Sequence, residues 1–372
     1  MTQNKLNVFI LAGEESGDLH GSNIMFSMKK KHPNILFSGI GGKNMERMGL
    51  RSLVPMNEIA VMGFWEVLKK IFFFIALEKK IISFIKKNRP DKIILIDYPG
   101  LNLRLAKKLK NLNVSTPIFY YISPQIWAWK EKRIQLIKKY VDSLIVIFPF
   151  EKAWYKNKNI KVEYFGHPLI DVVKNQLLTF KDIKKITSIR KILLLPGSRT
   201  QEISRHLPIF QSITKNYYTT NPHIHFIISS IEGLSQNLYS GFNKNVTITQ
   251  KSTLELLQDI DVVIVASGTA TLECALAKKP MIVIYKTSHF SWLLSRFFLK
   301  VEFASIVNLL FADRLVPELL QSRCTPQNII DEIAKIIKKE NLNKLAAGYS
   351  QIEAELGPGT AYNQAAAFIL QS

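Results

Sequence analysis

Cysteine is scarce in this chain: Cys274 and Cys324 are the two present in 372 residues. Two thiols make neither a disulfide framework nor a zinc cage, which fits a reducing compartment. Acidic residues are outnumbered, 29 against 50 basic ones, leaving a formal net charge of +21. Long hydrophobic runs are missing too. The most apolar stretch, IFFFIAL at 71–77, is closed off by Lys69, Lys70, Glu78, Lys79 and Lys80, far short of the roughly 20 residues that a bilayer-spanning helix needs. No transmembrane helix is expected. The start, MTQNKLNVFILAGEESGD, lacks the basic opening and small-residue cleavage site of an export signal, so secretion is not expected. Neither a low-complexity tract nor a repeat of fixed period appears.

What is present suits a folded, two-domain protein, since 47% of the residues are apolar and only 21% charged. Eleven of the basic residues are arginine and 39 lysine. That bias favours diffuse attraction to an anionic surface over bidentate reading of bases. The surface is nucleic acid, anionic lipid or a phosphorylated substrate, unless the lysines are simply a solvated coat. No helix-turn-helix, RNP or zinc motif supports nucleic acid, and none is expected as a partner.

Short β-branched runs alternate with longer amphipathic ones, the rhythm of parallel sheets wrapped by helices. The first half has them at 7–13, 34–42, 91–99, 116–123 and 142–149, the second at 190–198, 223–229, 245–250, 261–268 and 280–286. Two α/β domains follow. A lysine-rich stretch without strand character separates them, which places the domains at 1–185 and 186–340. A tail, 341–372, reads as helix, glycine-proline break and helix, able to dock back on the first domain or on a partner subunit. In doubly wound sheets ligands sit beyond the carboxyl ends of the strands, so the polar residues after each apolar run carry the information.

Four such places stand out. GEESGDLHG (13–21) lacks the GxGxxG spacing of a dinucleotide site. It is either a phosphate or sugar cradle or a loop in which Ser16 or Asp18 caps a helix. LLLPGSR (193–199) sets Gly197, Ser198 and Arg199 at a turn. Its guanidinium either clamps a diphosphate or pairs with Glu202. In VASGTATLECAL (265–276), Ser267, Gly268 and Thr269 open a helix directly after a strand, with Glu273 one turn further on. Amides below and a carboxylate above suit the diphosphate and ribose of a nucleotide, and an ordinary cap is the alternative. Asp97 in LIDYPG follows a wholly apolar strand. Desolvation at the strand mouth would raise its pKa towards that of a general base, unless it merely forms a turn. His167 in FGHPL reads as a hydrogen-bonding or cleft-lining residue. With no HExxH and no GxSxG, neither a metal nor a serine hydrolase is expected, and no cofactor.

The stretch 64–88 reads as a helix whose core stripe is Phe64, Val67, Leu68, Ile71, Phe74, Ile75, Ile81, Ile82 and Ile85. Trp65, Phe72 and Phe73 fall off that stripe, among Lys69, Lys80 and Lys87. Aromatics among lysines suit a bilayer interface, and a helix buried on both sides or a dimer contact is the alternative. Residues 289–303 have a similar texture.

Taken in order, GEESGDLHG, MGFWEVL, LIDYPGLN, YISPQIWAWK, FGHPLID, LLPGSR, SGTATLE and SIVNLLFADRLVPELLQ resemble the bacterial lipid A disaccharide synthase family, across nearly the entire chain. The resemblance implies a GT-B glycosyltransferase, two Rossmann-like domains facing a central cleft. It implies an inverting, metal-independent reaction of UDP-2,3-diacylglucosamine with 2,3-diacylglucosamine 1-phosphate, which gives a β-1,6-linked disaccharide and UDP. It further implies a cytoplasmic protein, peripheral on the anionic inner face of the cytoplasmic membrane, and a homodimer. Asp97 would be the base, Arg199 the holder of the diphosphate and Asn308 a residue positioning the donor. Glu273 would grip the ribose, Gly197, Ser198, Ser267, Gly268 and Thr269 would face phosphate, and Ser16, Gly17 and Asp18 would line the opposite lip. Trp65, Lys69, Phe72 and Phe73 would touch the membrane. Two rivals remain: another GT-B nucleotide-sugar enzyme such as a UDP-sugar 2-epimerase, and a basic nucleic-acid-binding protein.

Overall fold

Runs such as KIILI at 92–96 and VVIVA at 262–266 have no polar face, so a sheet built from them must be covered on both sides. That is what they form. The structure is a computed structural model, described over residues 5–59, 71–176, 178–231, 236–288 and 302–372. Ile93–Ile96 and Val262–Val265 are fully buried.

The first unit holds β1 (Leu6–Ala12), β2 (Ile35–Ile40), β3 (Leu50–Ser52), β4 (Lys92–Ile96), β5 (Ile118–Tyr121), β6 (Ser143–Val146) and β7 (Glu163–Tyr164). They lie in the order β3-β2-β1-β4-β5-β6-β7. Every pairing is parallel, with Ile96 opposite both Ala12 and Tyr121. The second unit holds β8 (Lys191–Leu195), β9 (His225–Ser229), β10 (Val246–Thr249), β11 (Val262–Ala266), β12 (Met281–Tyr285) and β13 (Glu318–Leu320). Their order is β10-β9-β8-β11-β12-β13, again wholly parallel. Each sheet is doubly wound, its order reversing between β1 and β4 in one unit and between β8 and β11 in the other.

Helices cover the faces. In the first unit these include α1 (Glu15–Lys31), α2 (Lys43–Arg47), α3 (Ile71–Asn88), α4 (Pro99–Asn111), α5 (Ile134–Tyr140) and α6 (Pro149–Lys156). The second unit has α7 (Thr200–Thr220), α8 (Thr269–Leu276), α9 (Ile306–Phe311) and α10 (Lys339–Glu355), and α11 (Ala361–Gln371) returns to the first.

Chain contacts divide the molecule into 1–171 with 356–372, and 172–355. The passage into the second unit therefore precedes residue 185. The lysine-rich stretch is held inside that unit, because Lys181 pairs with buried Asp261 while Ile183 and Ile186 are buried. The tail divides likewise. Helix α10 stays with the second unit, where Gly348 lies against Leu315 so closely that a Cβ would meet its side chain at 2.6 Å. Gly357 and Gly359, at φ 100° and 83°, then turn the chain. The Asp171 carboxylate accepts from the Ala361 and Tyr362 amides at 3.1 and 3.3 Å, capping α11 on the first unit.

Helix α3 buries Phe74, Leu77, Ile81 and Ile85. Its buried Glu78 pairs with Arg104 and Lys108 of α4. Phe72 is 82% exposed and Ile75, expected in the core, is 39% exposed. Phe73, expected to face outwards, is instead half-buried, packed against the core and edge-on to Phe74 at 5.6 Å. Residues 74, 77, 81 and 85 repeat at helical spacing, and the stripe they define leaves 73 at its margin and 75 outside it. Trp65, Lys69 and the segment 289–301 lie outside the described residues. Among the described residues no helix is long and apolar enough to cross a membrane.

Candidate active site

The four loops singled out by sequence follow β1, β4, β8 and β11, the strands that flank the two reversals of order. In the first unit the loops after β1 and β4 pack on each other. A Cβ on Gly13 would stand 2.4 to 2.7 Å from the Tyr98 ring, so only glycine fits beneath that ring.

Asp97 and Tyr98 both take left-handed backbone conformations, φ 40° and 45°, a costly choice for two consecutive non-glycine residues. Several bonds hold them there. The Asp97 amide donates to the Tyr121 carbonyl at 3.1 Å. The Asp97 carbonyl accepts from Asn102 Nδ2 at 2.7 Å and from the Tyr120 hydroxyl. Asn102, fully buried, donates also to the Ile96 carbonyl, and the Tyr98 hydroxyl donates to the Ile59 carbonyl at 2.7 Å. Burial, and next the negative charge of Glu14, push the Asp97 carboxyl up to about 7, against a hydrogen bond from the Tyr98 amide that opposes the rise. A carboxyl poised there can take a proton near neutral pH.

Ser16 is exposed and Gly17 buried at the start of α1. Asp18, expected at a ligand, has another occupation. Its carboxylate accepts from the amides of Gly42, Asn44 and Met45 at 2.8 to 3.0 Å, so it caps α2 from within the core. His167 is likewise committed inward: its Nδ1 accepts from the Leu169 amide, and burial lowers its pKa to about 3.

In the second unit Gly197 sits at φ 110°, and a Cβ there would meet Glu202 at 2.6 Å. The turn delivers Arg199 to the start of α7. Its half-exposed guanidinium lies 3.5 Å from Glu202, so the pairing read as an alternative is present. Ser198 is exposed beside it. Buried His206, which no sequence pattern marks, fixes this turn to the end of β12, two strands along the sheet. Its Nε2 accepts from the Lys286 amide at 3.0 Å, which leaves the proton on Nδ1, donating to the Pro196 carbonyl at 2.7 Å.

After β11, Gly268 and Thr269 are exposed, and space is open around Gly268 where a side chain would stand. Ser267 Oγ donates to the Ala304 carbonyl at 2.6 Å. Glu273 is half-buried one turn into α8, its carboxyl raised to about 7 by burial and lowered in part by a bond from Thr253.

Asn308, expected to position the donor, makes its bonds within the protein. It is fully buried, and its side chain is spent on the chain itself. Nδ2 donates to the Val316 carbonyl and to Glu318, while Oδ1 accepts from the Leu315 and Val316 amides, all at 2.9 Å. Glu318 also accepts from the Ala304 and Ser305 amides. Asn308 therefore shapes the segment that Ser267 holds. Sequence reasoning also passed over Glu151, fully buried, which accepts from Trp127 Nε1 and from the Ile147 and Phe148 amides and so locks the WAW segment.

The likenesses to known proteins agree with this geometry. The family described as lipid-A-disaccharide synthetase matches residues 8–370. Lipid-A-disaccharide synthase 1 of Legionella pneumophila (strain Paris) is 39% identical over 373 residues, covering 93% of this chain and 96% of that protein. Lipid-A-disaccharide synthase of Myxococcus xanthus is 33% identical, covering 99% and 98%. Among solved structures, the UDP-GlcNAc 2-epimerase of Neisseria meningitidis bound to UDP-GlcNAc superposes with a TM-score of 0.64 over 99% of each chain. Its 14% identity makes that a likeness of fold alone. With its paired parallel sheets, its loops at both reversals of strand order and a match running from β1 to the end of α11, this chain belongs to the lipid-A-disaccharide synthetase family.

Proposed function

We propose that the chain transfers the diacylglucosamine of UDP-2,3-diacylglucosamine to the 6-hydroxyl of 2,3-diacylglucosamine 1-phosphate. In this reading the Asp97 carboxylate takes the proton of that hydroxyl as its oxygen attacks the anomeric carbon. The bond from that carbon to the UDP oxygen breaks on the opposite side, so the configuration inverts to β. Arg199 and the amides of Gly268 and Thr269 meet the negative charge that grows on the leaving diphosphate, where fixed charge lowers a barrier most; the Ser267 amide, expected to face phosphate, donates instead to the Ile284 carbonyl at 3.0 Å. Glu273 accepts from the ribose hydroxyls. Gly197 and Ser198 let the phosphates approach the turn, Ser16 and Gly17 border the acceptor, and Asn308 with Glu318 holds the donor-side segment in shape.

The observation that carries this reading is the strained, desolvated Asp97 at the end of β4, with a proton affinity near neutrality. Mass spectrometry of the purified protein's product tests it. A disaccharide 1-phosphate and UDP in equal amounts are expected, and recovery of unreacted or epimerised UDP-sugar would contradict it.

The protein works at the inner face of the cytoplasmic membrane in the same reading, since both substrates carry acyl chains. Phe72, Ala76, Lys79, Ser83 and Lys86 form one exposed stripe on α3, apolar at one end and cationic at the other. Such a stripe suits an anionic bilayer surface.

A further inference from the structure

The loop that joins β5 to α5 carries three residues that the steps above leave unused: Trp129, Lys130 and Arg133. It leaves the same sheet edge as Asp97, because β4 and β5 are parallel neighbours with Ile96 opposite Tyr121. The Lys130 ammonium lies 4.2 Å, and the Arg133 guanidinium carbon 5.8 Å, from the centre of the Trp129 ring, which is itself 44% exposed. One aromatic ring thus holds two cations. Among the described residues neither meets a carboxylate. Glu131, the acidic residue between them, turns away to Lys158 at 2.7 Å.

Burial lowers the proton affinity of both groups, and Arg133 lowers that of Lys130 further. A second cation beside the first is a cost that a bound dianion would relieve. Arg133 is also near enough to Tyr120 to act on it electrostatically, and the Tyr120 hydroxyl bonds the Asp97 carbonyl.

We propose that Lys130 and Arg133, seated on Trp129, bind the phosphomonoester of the acceptor sugar. A guanidinium fork and an ammonium suit a terminal phosphate's oxygens. The anomeric carbon and the carbon that carries the 6-hydroxymethyl group both flank the ring oxygen of the pyranose, whereas the 4-hydroxyl lies across the ring from the phosphate. Gripping the phosphate one loop away from Asp97 therefore keeps the 6-hydroxyl, at the same end of the ring, near the base and holds the 4-hydroxyl away from it. The inference rests on the function proposed above.

Calorimetric binding of 2,3-diacylglucosamine 1-phosphate and of its dephosphorylated form to the full chain in detergent tests it without turnover. The wild type should prefer the phosphorylated sugar. That preference should fall at least tenfold in Lys130→Gln and in Arg133→Gln, and Arg133→Lys should keep more of it than Arg133→Gln. The acceptor KM should rise in the same order while the KM for UDP-sugar stays. An unchanged preference, including equal weakening towards both sugars, overturns the proposal. So does a loss of binding to phosphatidylglycerol vesicles with the preference intact, which would assign the cations to lipid headgroups. A wild type that prefers the phosphorylated sugar yet forms no disaccharide would contradict the function and leave the site standing.

Discussion

The hydroxyl of Tyr120, on β5, donates to the backbone carbonyl of Asp97, at the end of the adjacent strand β4. With Asn102 on the same carbonyl, that bond holds a left-handed turn which neither Asp97 nor Tyr98 would adopt unaided. Tyr120→Phe keeps the ring and removes the donor. Stability should fall by about 1 kcal/mol. We expect kcat to drop about tenfold with little change in either KM, because the turn relaxes around the base while the binding groups stay. Steady-state kinetics and urea unfolding check both, and an unchanged kcat would separate the turn from the chemistry.

Buried His20 should make the fold acid-sensitive. Its Nδ1 lies 2.7 Å from the Tyr362 hydroxyl of α11, and burial lowers its pKa from 6.5 to about 4. The unfolded chain thus takes up a proton below pH 6.5 that the folded chain refuses until about pH 4. The stability that neutral His20 contributes is complete above 6.5 and is lost as the pH falls through that window, by roughly 3 kcal/mol. In His20→Gln the unfolding free energy should change less between pH 7 and pH 4.5 than in the wild type. Parallel pH profiles would show that His20 titrates normally.

Asn308 separates shaping from contact. Asn308→Ala leaves the Leu315 and Val316 amides unpaired and should cost roughly 3 kcal/mol, with activity lost alongside. Asn308→Asp keeps both acceptor bonds but sets a second carboxylate against Glu318. It should be no better than the alanine variant in thermal stability and in KM for UDP-sugar. Wild-type stability in Asn308→Ala with activity alone abolished would favour direct contact with the donor.

Replacing both Phe72 and Ile75 with serine touches side chains that are already exposed, so thermal stability should stay within about 0.5 kcal/mol of the wild type. Sedimentation with phosphatidylglycerol vesicles should show weaker binding by fivefold or more. Unaltered sedimentation would remove α3 from the membrane surface.

The strands were the most legible part of the sequence. All ten apolar runs became strands: full burial of both faces leaves a signature that no loop imitates in central strands such as β4 and β11, and even the half-buried edge strand β10 kept its β-branched residues. β3, β7 and β13 escaped, being edge strands of two or three residues with no room for a pattern. The four polar loops read from the sequence do follow the strands at the reversals, because glycine, proline and charge cannot continue a buried strand. What each polar side chain does there was not legible. Asp18 and Asn308 looked like ligand groups and turned out to bond backbone, and His206 carried no mark at all although it ties Pro196 to Lys286. Such bonds depend on where the folded chain brings an amide or a carbonyl, and one sequence holds no trace of that. The domain boundary moved for a related reason: a lysine-rich stretch reads as solvated until Asp261 is found opposite it.

The pH dependence of kcat at saturating substrate, with Asp97→Asn as control, tests the central claim most directly. For the wild type we predict a rate that climbs with pH and levels off above about 7, as the Asp97 carboxyl loses its proton, and for Asp97→Asn a rate lower by about 100-fold or more with that inflection gone. A flat wild-type profile from pH 5 to 8, or an Asp97→Asn variant that turns over at the wild-type rate, would contradict it.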